Sequence, residues 1–176
     1  PKPVYQQHCY NSKNEIDEVR KLVSKSLDEI RIVAKLINGD IVLQSSFIEA
    51  VTEDLNRITK LKIIDCRLEV TGTVRKINSQ HEVIIYRILQ EAMTNALKYS
   101  HSKTIAVCID FKGSNCVIEI ADSGIGFDNS KVEKGSGLAN MNTRAKLIGA
   151  TFSVISKQNE GTRLTINYPI TKELKD

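Results

Sequence analysis

Glu91, Asn95 and Lys98 are the residues of this chain whose types and spacing best suit chemistry. They stand three or four positions apart within an apolar-periodic stretch, so on a helix a carboxylate, an amide and a cation project from one side. Asp122 closes an alternating apolar stretch and is followed by Gly124 and Gly126. A second Gly-x-Gly, Gly135 and Gly137, leads directly into Leu138 and another helical pattern. Glycine loops let bare backbone N–H groups approach a ligand, and a helix N-terminus attracts anions. Two such loops beside a Glu/Asn/Lys helix suggest a nucleoside triphosphate site. Each feature also has an ordinary reading: the stripe as a solvated helix face, and Asp122 as a strand-end Asx cap.

The helix carrying the stripe is predicted over 80–99, with Ser79 and Glu82 as an S-x-x-E capping box. Val83, Ile84, Ile88, Leu89, Ala92, Met93, Ala96 and Leu97 form its apolar side, and Arg87, Glu91, Thr94, Asn95 and Lys98 its polar side. An earlier helix is expected from Ser46, paired with Glu49, to about Lys60, burying Ile48, Val51, Leu55 and Ile58, with a strand over 61–71 behind it. Ile105, Val107, Ile109 and Phe111 alternate with more polar residues, and Ile118 and Ile120 continue that face beyond a turn. This is a hairpin whose second strand delivers Asp122. It also puts Cys108 and Cys116 on opposite faces, unable to bridge. The polar stretch 129–134 suits a mobile lid, 138–148 a helix stopped by Gly149, and 150–157 and 162–168 two closing strands. This order predicts an α/β two-layer sandwich, with a mixed sheet on one side and helices on the other.

Residues 1–14 read as irregular, and 15–37 as a helix with Ile16, Val23, Ile30 and Ile37 seven apart, stopped at Asn38-Gly39. That spacing makes either a coiled-coil-like seam or a helix packed on its own domain. The expected division is 1–40 and 41–176. At 176 residues the chain can bury a continuous core without disulfides or metals. The net charge of +4 is dispersed, which argues against a nucleic-acid partner. Cys9, Cys66, Cys108 and Cys116 lack metal-binding spacing and suit a reducing cytoplasm. No apolar run approaches the roughly 20 residues of a membrane span, so no membrane contact is expected from this stretch. A start at Pro1 reads as a piece of a longer parent, with room upstream for an inner-membrane anchor.

The succession Glu91-Ala92-x-x-Asn95-Ala96-x-Lys98, Asp122-x-Gly124-x-Gly126, Gly135-x-Gly137-Leu138 and Gly161-Thr162 resembles the ATP-binding domain of bacterial sensor histidine kinases, over residues 40 to 170. The short spacer between the glycine boxes is most similar to the subfamily whose response regulators carry a helix-turn-helix output domain. The resemblance implies the histidine kinase/gyrase-type ATPase (GHKL) fold, with ATP and magnesium as cofactors. It implies Asn95 as metal ligand, Lys98 offsetting phosphate charge, and Gly135, Gly137 and Leu138 offering backbone to the phosphates. Asp122 would accept from the adenine amino group, with Gly124 and Gly126 turning beneath the base and Thr162 reaching the same edge. Glu91 would act on the attacking nucleophile, a histidine that relays phosphate to an aspartate of a cognate response regulator. The heptad stretch would be the second helix of a dimerisation hairpin, making the parent a homodimer. Neither His8 nor His101 has the context of a phosphoacceptor. Thr143 and Ala150 depart from the subfamily's usual acidic residue and glycine. Remaining alternatives are another ATPase or serine kinase of the same fold, or a non-catalytic nucleotide-binding dimerisation module.

Overall fold

The computed structural model describes residues 46–62, 64–128 and 136–170, together with Val19, Arg20 and Val23. Two units are distinguished, Pro1–Lys35 and Leu36–Asp176. In the first, Val19, Arg20 and Val23 are helical and exposed. The rest of the heptad stretch, including Ile16, Ile30 and Ile37, lies outside the described residues. So do His8, Cys9, Asn38-Gly39, the 129–134 stretch and Gly135.

Helix α1 (Phe47–Lys60) starts as its sequence predicts. The Ser46 hydroxyl accepts from the Glu49 N–H, and the Glu49 carboxylate accepts from the Ser46 N–H. Its buried side is Phe47, Ala50, Val51, Asp54, Leu55 and Ile58; the expected Ile48 is only half-buried. Leu61 and Lys62 close the helix in a turn, Lys62 at φ 57°, so strand β1 (Asp65–Gly72) begins later than expected.

Helix α2 (Ser79–Tyr99) is capped one residue earlier than the sequence pattern suggests. Asn78 Oδ1 accepts from Gln80 N–H at 2.9 Å, and Ser79 is already helical. Asn and Ser are comparable N-caps, and the capping-box pattern alone does not choose between neighbours. At 21 residues α2 is the longest described helix and is flanked by α1 and α3 (Ser136–Leu147). That flanking buries Thr94, expected on the polar side, to 4% exposure.

The sheet has the order β1-β2-β3-β5-β4, with β2 (Thr104–Lys112), β3 (Asn115–Asp122), β4 (Thr151–Lys157) and β5 (Gly161–Pro169). β1 and β2 are parallel, with α2 as the crossover between them, and all other pairs are antiparallel. Val107, Ile109 and Phe111 on β2 pair with Ile120, Ile118 and Cys116 on β3, and all six are buried. Ile85, Ile88, Leu89 and Met93 of α2 are fully enclosed, each side chain contributing about 1.5–3 kcal/mol by leaving water. The alternate residues carry polar pairings such as Arg163 with Glu119 at 3.0 Å and Thr71 with Asp110 at 2.8 Å. One face apolar and one polar gives the expected two-layer sandwich. Cys108 pairs opposite Glu119 and Cys116 opposite Phe111, so the two thiols do lie on opposite faces.

Candidate functional site

The loop after β3 is fixed by close backbone approaches. Ile125 N–H donates to the Ser100 carbonyl at the end of α2 (2.8 Å), Asn159 N–H to the Ile125 carbonyl (2.6 Å), and Phe127 N–H to Ser156 Oγ (2.9 Å). Gly126 sits at φ 56°, where a Cβ would stand 2.1 Å from the Lys157 carbonyl oxygen. A side chain at this position would push the loop off the β4–β5 turn. Behind the loop, the Ser102 hydroxyl accepts from Ser123 N–H (2.9 Å), and Thr104 Oγ1 donates to Ser123 Oγ (2.8 Å). These hydroxyls tie the end of α2 to the sheet, and nothing in their spacing announced it.

Asp122 is the last residue of β3 and stands opposite Thr162 of β5, which in turn stands opposite Ser156 of β4. Its Oδ1 accepts from Gly124 N–H at 2.8 Å, so the strand-end Asx turn is present. Burial pushes the Asp122 carboxyl up, against hydrogen bonds from Gly124 and Thr162 that hold it down. Thr162 Oγ1 lies 3.0 Å from Ser156 Oγ. A carboxylate and a hydroxyl thus share one end of the site.

The other end is made by helices. Glu91 and Asn95 point from α2 toward the start of α3, where a Cβ on Gly137 would meet Glu91 Oε1 at 2.8 Å and Asn95 Nδ2 at 3.7 Å. A side chain at 137 would have to displace the Glu91 carboxylate. The first turn of α3 offers the N–H groups and positive dipole end that favour anions.

Between the two ends lies a cavity of about 580 Å³, within the range of small-molecule sites. Glu91, Asn95, Asp122, Gly126, Gly137, Leu138 and Thr162 all line it. Gly124 does not; it is buried beneath the loop, where a Cβ would lie 2.1 Å from the Ser100 carbonyl oxygen. Lys98 is exposed and is not among the lining residues, and Gly135 lies outside the described residues. Tyr99 takes the cavity side instead, 66% exposed at the mouth with Ile125 at 49%. Met141, Val154 and Leu164 add apolar walls that a ring can pack on. Among the described residues no group of three or more His, Cys, Asp or Glu gathers as a metal site.

The sequence profile of the histidine kinase-, DNA gyrase B- and HSP90-like ATPases matches residues 80–172, more than half of the chain, and the chain belongs to this family. ATP binding comes with that membership. Over 155 residues the chain is 27% identical to the oxygen sensor histidine kinase NreB of Staphylococcus carnosus, covering 87% of this chain and 45% of that protein. It is 39% identical over 90 residues to the sensor protein VraS of Staphylococcus aureus, covering 51% of this chain and 26% of that one. The chain thus spans less than half the length of these curated relatives. The histidine kinase AdeS of Acinetobacter baumannii superposes with a TM-score of 0.59 at 18% identity, over 93% of this chain and 84% of its own. The histidine kinase domain of the blue-light activated kinase from Erythrobacter litoralis gives 0.58 at 16%, over 84% and 74%. At such identities these structures speak for the fold alone. No helix among the described residues is long and apolar enough to cross a membrane.

Proposed function

We propose that this chain is the ATP-binding catalytic region of a sensor histidine kinase, which transfers the γ-phosphoryl group to a histidine on a separate helix for relay to a response-regulator aspartate. The observation that carries this reading is a single cavity with a carboxylate and hydroxyl on strands at one end and a carboxylate, amide and helix N-terminus at the other. Adenine offers an amino donor to Asp122, whereas guanine offers a carbonyl oxygen that a carboxylate repels. The start of α3 faces the phosphates, and exposed Lys98 adds positive charge nearby.

Magnesium, when bound with ATP, neutralises phosphate charge. The donors fit it: Asn95 supplies a neutral amide oxygen and Glu91 a carboxylate in one cavity, and a hard cation that keeps most of its waters needs little more. Asn95 would hold it. In transfer, a neutral imidazole nitrogen attacks the γ-phosphorus, the bond to the bridging oxygen breaks, and ADP leaves. Glu91 orients the imidazole and takes its ring proton. The described histidines are otherwise placed: His81 Nδ1 is 2.9 Å from Tyr168 Oη, and His101 is an exposed turn residue at φ 51°. On this reading residues 1–40 belong to a dimerisation hairpin, residues 41–176 are the ATP-binding region, and a cognate response regulator is the downstream partner.

Calorimetric titration tests the nucleotide and labelling tests the transfer. ATP should bind with magnesium and GTP far more weakly. The chain alone should acquire little acid-labile phosphate, while a version continued upstream through an acceptor histidine should acquire it as a dimer. Glu91→Ala should slow labelling more than it weakens binding. Equal affinity for GTP, or a continued dimer that binds ATP and never labels, overturns the kinase reading.

A further inference from the structure

One helical turn before Glu91, the opposite side of α2 is held by a buried charge. Asp54 of α1 is 4% exposed, and its Oδ2 accepts from Tyr86 Oη of α2 at 2.6 Å. Its Oδ1 lies 2.9 Å from an Arg57 guanidinium nitrogen. Gln90, 3% exposed and adjacent to Glu91 in the chain, adds side-chain hydrogen bonds to both Asp54 and Tyr86. Its Oε1 is left buried without a hydrogen-bond partner among the described residues. Burial pushes the Asp54 carboxyl up, and it pushes the Tyr86 hydroxyl up further, assisted by the carboxylate beside it.

Such an arrangement is a poor way to glue two helices. A carboxylate taken out of water recovers only part of its desolvation cost from its partners, and an unpartnered buried carbonyl adds to that cost. Directional bonds do supply position. Apolar contacts let a helix slide or turn by a fraction of a residue, whereas Tyr86 and Gln90 both require one orientation of α2 to reach Asp54. On the other side of α2, Glu91 and Asn95 line the cavity beside the start of α3, with Glu91 Oε1 2.8 Å from where a Gly137 Cβ would be. A rotation of α2 about its axis would carry both side chains away from their places in the cavity wall. Asp122 and Thr162, on strands, would not move with it.

We propose that Asp54 is a positioning residue for the phosphate end of the site: through Tyr86 and Gln90 it sets the rotation of α2 that presents Glu91 and Asn95 to the nucleotide. The proposal rests on the ATP-site reading above. Its test compares adenosine with ATP plus magnesium by calorimetry, using Asp54→Asn, which keeps the volume, and Tyr86→Phe, which removes only the hydroxyl. Thermal unfolding confirms that each variant is folded, and Tyr86→Phe carries the test if Asp54→Asn is not. Either variant should weaken magnesium-ATP on the order of tenfold while leaving adenosine within about twofold. Combined with Asn95→Ala, each should add less than its separate loss, because part of its effect passes through Asn95. Equal weakening of adenosine and ATP, no weakening of either, or losses that multiply with Asn95→Ala overturns the proposal. If Asn95→Ala alone weakens magnesium-ATP selectively and the Asp54 and Tyr86 variants do not, only this inference falls. If the parent binds no ATP, the site reading falls with it.

Discussion

Asp122 and Thr162 are set opposite each other by backbone pairing of β3 with β5, whereas Glu91 and Asn95 ride on a helix held largely by packing and by one buried carboxylate. The first pair cannot shift without breaking ladder hydrogen bonds, which move in whole-residue steps. The second pair can shift by fractions of an ångström as α1 and α3 repack. On the proposed reading, the cavity joins a fixed end that would recognise the base to an adjustable end that would serve the phosphoryl transfer. Phosphoryl transfer depends on placement more than on any one reactive group, so the adjustable end is where regulation has most leverage.

Breaking the fixed end should have the largest effect. Gly161 occupies φ 78°, and a Cβ there would lie 2.1 Å from the Asp122 carbonyl oxygen. Gly161→Ala should lose on the order of 3 kcal/mol of stability in urea unfolding, through the strained backbone and the displaced strand end. It should lose adenosine and ATP binding together. A loss under about 0.5 kcal/mol would mean that the strand ends are not rigid, and the contrast with α2 would disappear.

Next in size, Asp122→Ala removes the proposed recognition group and leaves the frame standing. A lost charge-assisted hydrogen bond of about 1.5–3 kcal/mol predicts a ten- to hundredfold fall in ATP affinity. Adenosine should fall by the same factor. That shared loss is the converse of the result expected for Asp54→Asn. ATP weakening while adenosine holds would place Asp122 at the wrong end.

The smallest effect sharpens the comparison through pH. Asp122 is raised by burial above its unfolded value, so its contribution to stability is present below the ordinary carboxylate range and lost as pH rises through the raised folded value. At neutral pH the ionised group therefore burdens the folded protein, while the proposed adenine contact would need it ionised. Asp122→Asn, compared with the parent in urea unfolding at pH 7 and pH 5, should show its relative advantage shrinking toward the lower pH. Parallel stability at both pH values would show that burial does not strain this carboxylate.

Several parts of the site were legible because they depend on neighbours in the chain. The Ser46–Glu49 cap, the alternation that carries Asp122 to a strand end, and the glycine needed at 126 follow from local conformation. The cap of α2 was displaced by one residue because Asn78 competes with Ser79 on equal terms. Thr94 looked polar-facing because a helical wheel shows periodicity without showing how many sides a helix will have covered. Tyr99 lines the cavity and Lys98 does not, because lining depends on how neighbouring elements pack, which helical periodicity alone does not show.

By itself the sequence determined the order of elements, the two glycine-marked approaches and the residue types available for a nucleotide. Contiguous residues encode periodicity, caps and turns, and these need no partner to be recognised. Tertiary structure decided which of those residues meet. Asp122 faces Thr162 through a strand register set forty positions away, and Gly137 comes to lie beside the Glu91 carboxylate through the packing of two helices. Asp54, on a helix whose apolar spacing was plain, became a buried anchor only through Tyr86, 32 residues further on. Long-range register and side-chain packing are settled by the whole core at once, and no local window of sequence contains them.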